Sequence, residues 1–283
     1  MALYIVTDSS ADLPIEIIKK FNIDVLPLSV TINDEEYFDG VTIGNKELMD
    51  KMRVGAAPKT SQVTVSAFFE VFEKHAKKGD GVICLTLAST LSGTYNSASL
   101  AKGEILEKYP NSDITLIDSG CASLGLGMVV YKALLMLSDN ASKEEIINVA
   151  EDNCQHMQHI FMVDDLEYLF RGGRIGRTSA LVGGLLGIKP ILELNVEGKV
   201  TPLEKARGRK NSIKRMAEIV GERGKNLDNQ VIGISHGDDL EAVEILTDLL
   251  KEFYGCKEFI INNVGGVIGS HTGPGTLAVF FLN

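Results

Sequence analysis

Gly81-Val82-Ile83-Cys84-Leu85-Thr86-Leu87 is a continuous, mainly apolar run of strand length, and after Ala88 it gives way to Ser89-Thr90-Leu91-Ser92-Gly93-Thr94 at the head of a helical stretch, 93–108. An apolar strand that leads straight into a helix is the building unit of a parallel sheet wrapped by helices. In such sheets ligands bind in the crevice beyond the carboxyl ends of the strands, which is where the hydroxyls and the glycine of 89–94 would fall. A second polar run, Thr60-Ser61-Gln62, also stands ahead of a helical stretch, 67–77. Hydroxyl and backbone N–H donors converging at such turns can hold an anionic headgroup. Ser92 is equally a common helix cap, but four hydroxyl residues among the six from Ser89 to Thr94 exceed what one cap needs.

Outward from this unit, the first half alternates strand-like segments at 3–7, 25–32, 81–87 and 114–118 with helix-like segments at 14–21, 67–77, 93–108 and 124–138. Asp8-Ser9-Ser10 and Asp118-Ser119-Gly120 also stand at strand ends, so polar residues converge on one edge. Beyond about Asn153 the pattern changes. A strand over 159–163 is followed by Arg171-Gly172-Gly173-Arg174 and then by a hairpin of 191–196 and 199–203 turning at Glu197-Gly198. Strands over 231–235, 259–264 and 277–282 surround a helix over 240–253. The predicted fold class is α/β with two domains: an N-terminal domain over 1–155, with a parallel sheet and the headgroup loops, and a C-terminal domain over 156–283 with a mixed sheet.

Composition narrows the function. The 283 residues are 45% hydrophobic, enough to fill a core, and the net charge of -10 (28 Lys and Arg against 38 Asp and Glu) argues against a nucleic-acid binder. Cys84, Cys121, Cys154 and Cys256 show no CxxC spacing, so neither a disulfide framework nor a zinc cluster is expected, and a reducing cytoplasm fits. The first twenty residues include Asp8, Asp12 and Glu16 and lack a signal-peptide pattern. The longest apolar stretches, 128–137 and 180–188, are too short to span a bilayer. No metal, cofactor or stable membrane insertion is expected.

Among single residues, His271 lies within Gly265-Gly266-Val267-Ile268-Gly269-Ser270-His271-Thr272-Gly273-Pro274-Gly275, read as a sharply shaped loop. It is the best candidate for a titratable group at the ligand, against the alternative of a loop histidine bonded to backbone. His156 and His159 are spaced i, i+3 without a third metal ligand and read as a surface helix end. The three glycines within 179–188 fit either close packing or a channel for an apolar ligand. Arg171 and Arg174 can reach a carboxylate or phosphate, or end a solvated helix. Lys205, Arg207, Arg209, Lys210, Lys214 and Arg215 form the only basic cluster, suited to a partner or to a plain solvated face. No nucleophile with a local base stands out. Asp8 and Asp12 read as helix-entry carboxylates, Cys121 as a buried inert thiol, and no glycine-rich phosphate motif follows a strand. Binding groups are present and catalytic ones are not.

The blocks Val6-Thr7-Asp8-Ser9-Ser10-Ala11-Asp12-Leu13-Pro14, Thr60-Ser61-Gln62, Ser89-Thr90-Leu91-Ser92-Gly93-Thr94-Tyr95, Asp118-Ser119, Arg171-Gly-Gly-Arg174-Ile175, Lys189-Pro190-Ile191 and His271-Thr272-Gly273-Pro274-Gly275 resemble, in this order, the DegV family of bacterial fatty-acid-binding proteins. The resemblance implies a long-chain fatty acid buried between two α/β domains. It implies that Thr60 and Ser92 hold the carboxylate, with Ser61 and the Gly93 amide nearby and His271 in the surrounding network. Arg174 and Arg207 are carried over as residues that steady this network or face a fatty acid kinase. That kinase phosphorylates the bound carboxyl group in the family, and the acyl phosphate goes on to phospholipid synthesis, so the protein is a carrier and not an enzyme. Val63 and Asn96 depart from the family pattern, where proline and glutamine are usual. The alternative kept beside the carrier is an enzyme acting on a small phosphorylated or acyl substrate, with Ser92 or His271 catalytic.

Overall fold

The structure is a computed structural model that describes residues 2–176 and 188–283. Its first half runs β1 (Leu3–Asp8), α1 (Ile15–Phe21), β2 (Asp24–Leu26), β3 (Ser29–Ile32), β4 (Glu35–Phe38), α2 (Asn45–Arg53), β5 (Lys59–Ser61), α3 (Val65–Ala76), β6 (Gly81–Thr86), α4 (Thr94–Lys108), β7 (Ile114–Asp118), α5 (Leu124–Ser138) and α6 (Lys143–His156). The second runs β8 (Met157–Met162), α7 (Glu167–Arg171), β9 (Ile188–Leu194), β10 (Val200–Arg207), α8 (Arg209–Arg223), β11 (Val231–His236), α9 (Leu240–Tyr254), β12 (Glu258–Asn263), α10 (Gly266–Thr272) and β13 (Leu277–Leu282).

Strand β6 explains the layering. Val82 and Cys84 pack with Phe68 and Phe72 of α3 and Ala98 and Ile105 of α4, whereas Ile83 and Leu85 join Leu124, Val129 and Leu134 of α5. Successive side chains point to opposite faces, so a strand buried on both sides must be apolar throughout. It lies in a parallel sheet of order β2-β1-β6-β7. Helix α5 continues across to a second, mixed sheet of order β10-β9-β8-β13-β11-β12, burying Phe161, Leu192, Ala278 and Phe280 in the same cluster. The alternate residues of that sheet, Ile160, Met162, Ile234 and Val279, pack on α8 and α9. Five layers result, helix and sheet in turn, with α5 at the centre.

Two expectations need correction. The single strand read over 25–32 breaks at Pro27, which has no N–H to give a ladder. Strand β2 pairs parallel with β1, and β3 leaves to form a separate antiparallel sheet with β4 and β5. The loop read over 265–275 contains α10. Its glycines give it little intrinsic helicity, and carboxylates remote in sequence compensate. Asp12 Oδ1 accepts from the Gly265 amide at 2.9 Å, and Asp39 accepts from Gly266 at 2.6 Å and Val267 at 3.3 Å. Groups that would be orphaned at the helix start are thereby satisfied, with charge of the favourable sign.

The same bonds overturn the reading of Asp8 and Asp12 as entry carboxylates of the helix after Pro14. Asp8 accepts from Ser10 N at 3.0 Å, capping a one-turn 3-10 segment, and from Leu87 N at 2.8 Å, which pins the end of β6. Burial pushes its carboxyl up to about 6. The apolar segment over 179–188, apart from its last residue, lies outside the described residues. No helix among the described residues is long and apolar enough to cross a membrane.

Candidate functional site

Between the two large sheets lies a cavity of about 380 Å³, within the range of small-molecule sites. Thr60, Ser61, Ser92, Gly93, Arg174 and His271, the six residues expected at the ligand, all line it. Three structural joins bring them together. Thr60 is the middle residue of β5, and its Oγ1 lies 2.8 Å from His271 Nε2 in the last turn of α10. Gln62 Nε2 donates to the buried Ser97 Oγ at 2.7 Å, and its amide passes so close to Gly93 that any Cβ there would stand 2.0 Å from Oε1. Arg174 donates from Nε and Nη2 to the carbonyl of Leu91, at 3.1 and 2.9 Å, and from Nη1 to that of Gly172 at 2.6 Å. The guanidinium thus fastens the 89–94 loop to the turn after α7.

Ser92 is not the helix cap weighed for it but stands one residue before the cap. Its Oγ accepts from Thr94 N at 3.3 Å and lies 2.9 Å from Thr94 Oγ1, while Gly93 occupies the cap position of α4. A hydroxyl so weakly engaged retains hydrogen-bonding capacity toward the cavity.

His271 is neutral at pH 7. Burial, aided by the charge of Arg174, holds its imidazole down at about 4. Its Nδ1 is buried without a hydrogen-bond partner, against Gly172, where a Cβ would stand 2.0 Å away. Leaving a lone pair unpaired there is less costly than leaving an N–H. Nε2 then carries the proton and donates to Thr60, so the Thr60 hydroxyl hydrogen is free for a ligand. The hydroxyl and imidazole donors are neutral and stand beside the charged Arg174, a set suited to an oxyanion.

The opposite wall is apolar and belongs to the mixed sheet. Register places Ala278 beside Phe161, and Phe280 beside His159, on the face turned to the cavity. Leu194 of β9 joins this wall, and Leu28, Leu87, Leu169 and Val267 add apolar lining from other elements. Ser61 and Gln62 are exposed, whereas Phe161, Ala278 and Phe280 are buried. The polar end therefore meets solvent and the apolar end does not.

His159 corrects the surface-helix reading. It is buried in β8 and lines the cavity, with Nδ1 3.2 Å from the Met157 carbonyl and Nε2 accepting from Ala122 N at 3.2 Å. Its ring packs edge-on against Phe280, and burial holds it neutral down to about 4. The Cys121 thiol is pushed up by its hydrogen bond with Cys154 and by burial. No group of three or more His, Cys, Asp or Glu among the described residues could hold a metal ion.

Arg207 does not join the cavity. It is exposed at the end of β10, an edge strand. The basic cluster also divides. Arg209 pairs with Asp164 at 2.9 Å and with Asp239, and Arg215 pairs with Glu204 at 2.7 Å, Glu218 at 3.2 Å and Glu222 at 2.6 Å. Lys205, Arg207, Lys210 and Lys214 are exposed, with no acidic partner among the described residues.

The family model described as "Uncharacterised protein, DegV family" matches residues 2–283. The chain belongs to the DegV family. It is 44% identical over 280 residues to a DegV domain-containing protein of Clostridium perfringens, covering 98% of this chain and 96% of that one. Among solved structures it is similar to a DegV family protein from Thermus thermophilus, described by its fatty acid binding, with a TM-score of 0.91 and 34% identity over 100% of both chains. It is also similar to DegV of Bacillus subtilis, described as a fatty acid binding protein, with a TM-score of 0.85 and 31% identity over 99% of this chain and 98% of that one. The α/β architecture is that of these DegV relatives. Ser123 and Ser235 also line the cavity, but neither belongs to a hydroxyl-rich turn of the kind at 60–62 or 89–94, so the sequence does not mark them.

Proposed function

We propose that this chain binds a long-chain fatty acid in the cavity between its sheets, with the carboxylate at Thr60, Ser61, Ser92 and the Gly93 amide and the tail along Phe161, Ala278 and Phe280. The observation that carries this reading is one cavity with neutral hydroxyl donors at its solvent end and an apolar, buried wall beyond. The fatty acid binding described for the Thermus thermophilus and Bacillus subtilis relatives supports it. Burying about fifteen methylenes at roughly 0.8 kcal/mol each contributes on the order of 12 kcal/mol before ordering costs, so the tail supplies affinity. Charge-assisted bonds of about 1.5–3 kcal/mol each roughly offset desolvation of the carboxylate, so the head supplies orientation.

In this reading the chain is a cytoplasmic carrier without catalysis of its own. It presents the carboxyl group to a fatty acid kinase, which forms an acyl phosphate for phospholipid synthesis. His271 and Arg174 steady the head, and the exposed Lys205 and Arg207 face the kinase. The neutral, unactivated hydroxyls weigh against the alternative of an enzyme, since neither Ser92 nor Thr60 has a carboxylate-oriented base. Native mass spectrometry of the purified protein, with extraction of what it releases, tests the reading. A stoichiometric long-chain fatty acid is expected; an empty protein that also refuses added fatty acids would overturn it.

A further inference from the structure

The cavity has a second polar contact, remote from Thr60 and Ser92. Helix α10 runs along the cavity, which Val267, Ile268, His271 and Thr272 line from one helical face. At one end His271 meets Thr60, and at the other the Gly265 amide is held by Asp12 Oδ1. Six residues at 1.5 Å rise separate these ends by about 9 Å along the axis. The other carboxylate oxygen of Asp12 accepts from Ser123 Oγ at 2.5 Å, and Ser123 Oγ lies 3.0 Å from Ser235 Oγ. Both serines line the cavity, and Ser235 stands in register with Ala278 and, through it, Phe161, on a wall whose other polar side chain from β8, His159, already has both ring nitrogens engaged.

Counting hydrogens shows what this pair can offer. Ser123 has one hydroxyl hydrogen and gives it to Asp12, so the hydrogen between the two serines belongs to Ser235. Ser235 then turns only lone pairs toward the cavity, an acceptor that a ligand donor would match. Were Asp12 protonated, the chain of bonds could run the other way and Ser235 would become a donor. A hydroxyl on the ligand partners the pair in either direction. Ser123 is moreover held at φ 54°, ψ -146°, a conformation that glycine adopts freely and other residues rarely do. Glycine there would remove the strain and the hydroxyl together, so the serine keeps its side chain against a backbone cost.

We propose that Ser123 and Ser235 form a subsite for a hydroxyl carried mid-chain by the bound acyl group, which makes monohydroxy long-chain fatty acids part of the ligand class. This rests on the carrier reading above. The test is displacement of a fluorescent fatty acid from the full chain by palmitic acid and by the positional series of its monohydroxy isomers. Affinity is expected to fall where the hydroxyl faces Phe161, Leu194 or Phe280 and to recover, to within about threefold of palmitic acid, at one mid-chain position. Ser235→Ala should lower that isomer roughly three- to tenfold relative to palmitic acid, the loss of one hydrogen bond. Isomers that are uniformly weak on the wild-type protein, or a variant that leaves the ratio unchanged, would overturn the proposal. The wild-type scan decides it even if the variant fails to fold. Failure of palmitic acid itself to bind would overturn the carrier reading and the proposal with it.

Discussion

Gly172→Ala isolates the role of His271 without touching a donor. Gly172 has ordinary helical angles, φ -72° and ψ -13°, so the backbone accepts alanine, and at such positions alanine is favoured over glycine by up to about 1 kcal/mol. The new Cβ would stand 2.0 Å from His271 Nδ1 and 2.7 Å from Cε1. Nor can the ring retreat while Nε2 stays 2.8 Å from Thr60 Oγ1. It must tilt, and the bond to Thr60 is lost at a net cost of about 0.5–1.5 kcal/mol. Thr60 then loses the orientation that frees its hydrogen for a carboxylate, a bond worth about 1.5–3 kcal/mol. Fatty acid affinity should fall roughly tenfold to a hundredfold. Displacement titration of a fluorescent fatty acid, with thermal unfolding of the ligand-free protein alongside, reads both effects. Binding should weaken much more than the fold, and Thr60→Ala should add little on top of Gly172→Ala because the two remove one shared interaction. Unchanged affinity, or full additivity with Thr60→Ala, would refute the coupling of Gly172 to Thr60 through His271.

Other predictions follow from the same geometry. Thr60→Ala with Ser92→Ala should abolish stable fatty acid retention in native mass spectrometry, and unchanged retention would sink the headgroup assignment. The ring resonances of His159 and His271 should titrate near pH 4, not near 6.5. A histidine whose folded value is depressed contributes stability present above pH 6.5 and lost as pH falls toward 4, on the order of 3 kcal/mol each. Asp8, raised to about 6, acts with the opposite sign: the stability it contributes when protonated is lost as pH rises from 3.8 to about 6. The individual resonances, not the global unfolding curve, therefore separate the histidines. Lys205→Glu with Arg207→Glu should leave fatty acid binding intact while reducing kinase-dependent acyl phosphate formation severalfold at low salt. Equal rates in wild type and variant would remove that surface from the kinase interface.

What was legible in the sequence follows from how local the causes are. Strand β6 and helix α4 were readable because a buried parallel strand needs an unbroken apolar run and the turn after it needs polar residues. The junction at Pro27 left a signal that an apolar tally over 25–32 concealed. Helix α6 carried an N-terminal signature, since Ser142 and Glu145 form a reciprocal capping box, with Glu145 N to Ser142 Oγ at 3.3 Å and Ser142 N to Glu145 Oε2 at 2.8 Å. Its apolar face is narrow, with Ile146 and Ala150 alone fully buried, so periodicity gave little help. Helix α8 begins inside the basic cluster, whose charges mask the core face marked by Ile213, Met216, Ile219 and Val220.

Helix α10 was illegible for a different reason, and that reason bears on the site. Nothing near Gly265 and Gly266 in sequence supports a helix; Asp12 and Asp39 do, from more than two hundred residues away. The cost of their burial, which raises both carboxyls, is offset by the amides they accept from and by Ser9 and Ser123. Removing either carboxylate would leave buried N–H groups unpaired as well as relax the helix. The order of His271 at the far end of α10 thus depends on residues of the first half, and Thr60, which it orients, belongs to that half too. A headgroup site assembled in this way forms only when the segment carrying α10 is docked, so binding a ligand there should tighten the contact between the two sheets. The local sequence around His271 cannot report this, because the residues that make the histidine useful, Asp12, Asp39 and Thr60, lie more than two hundred residues away in the chain.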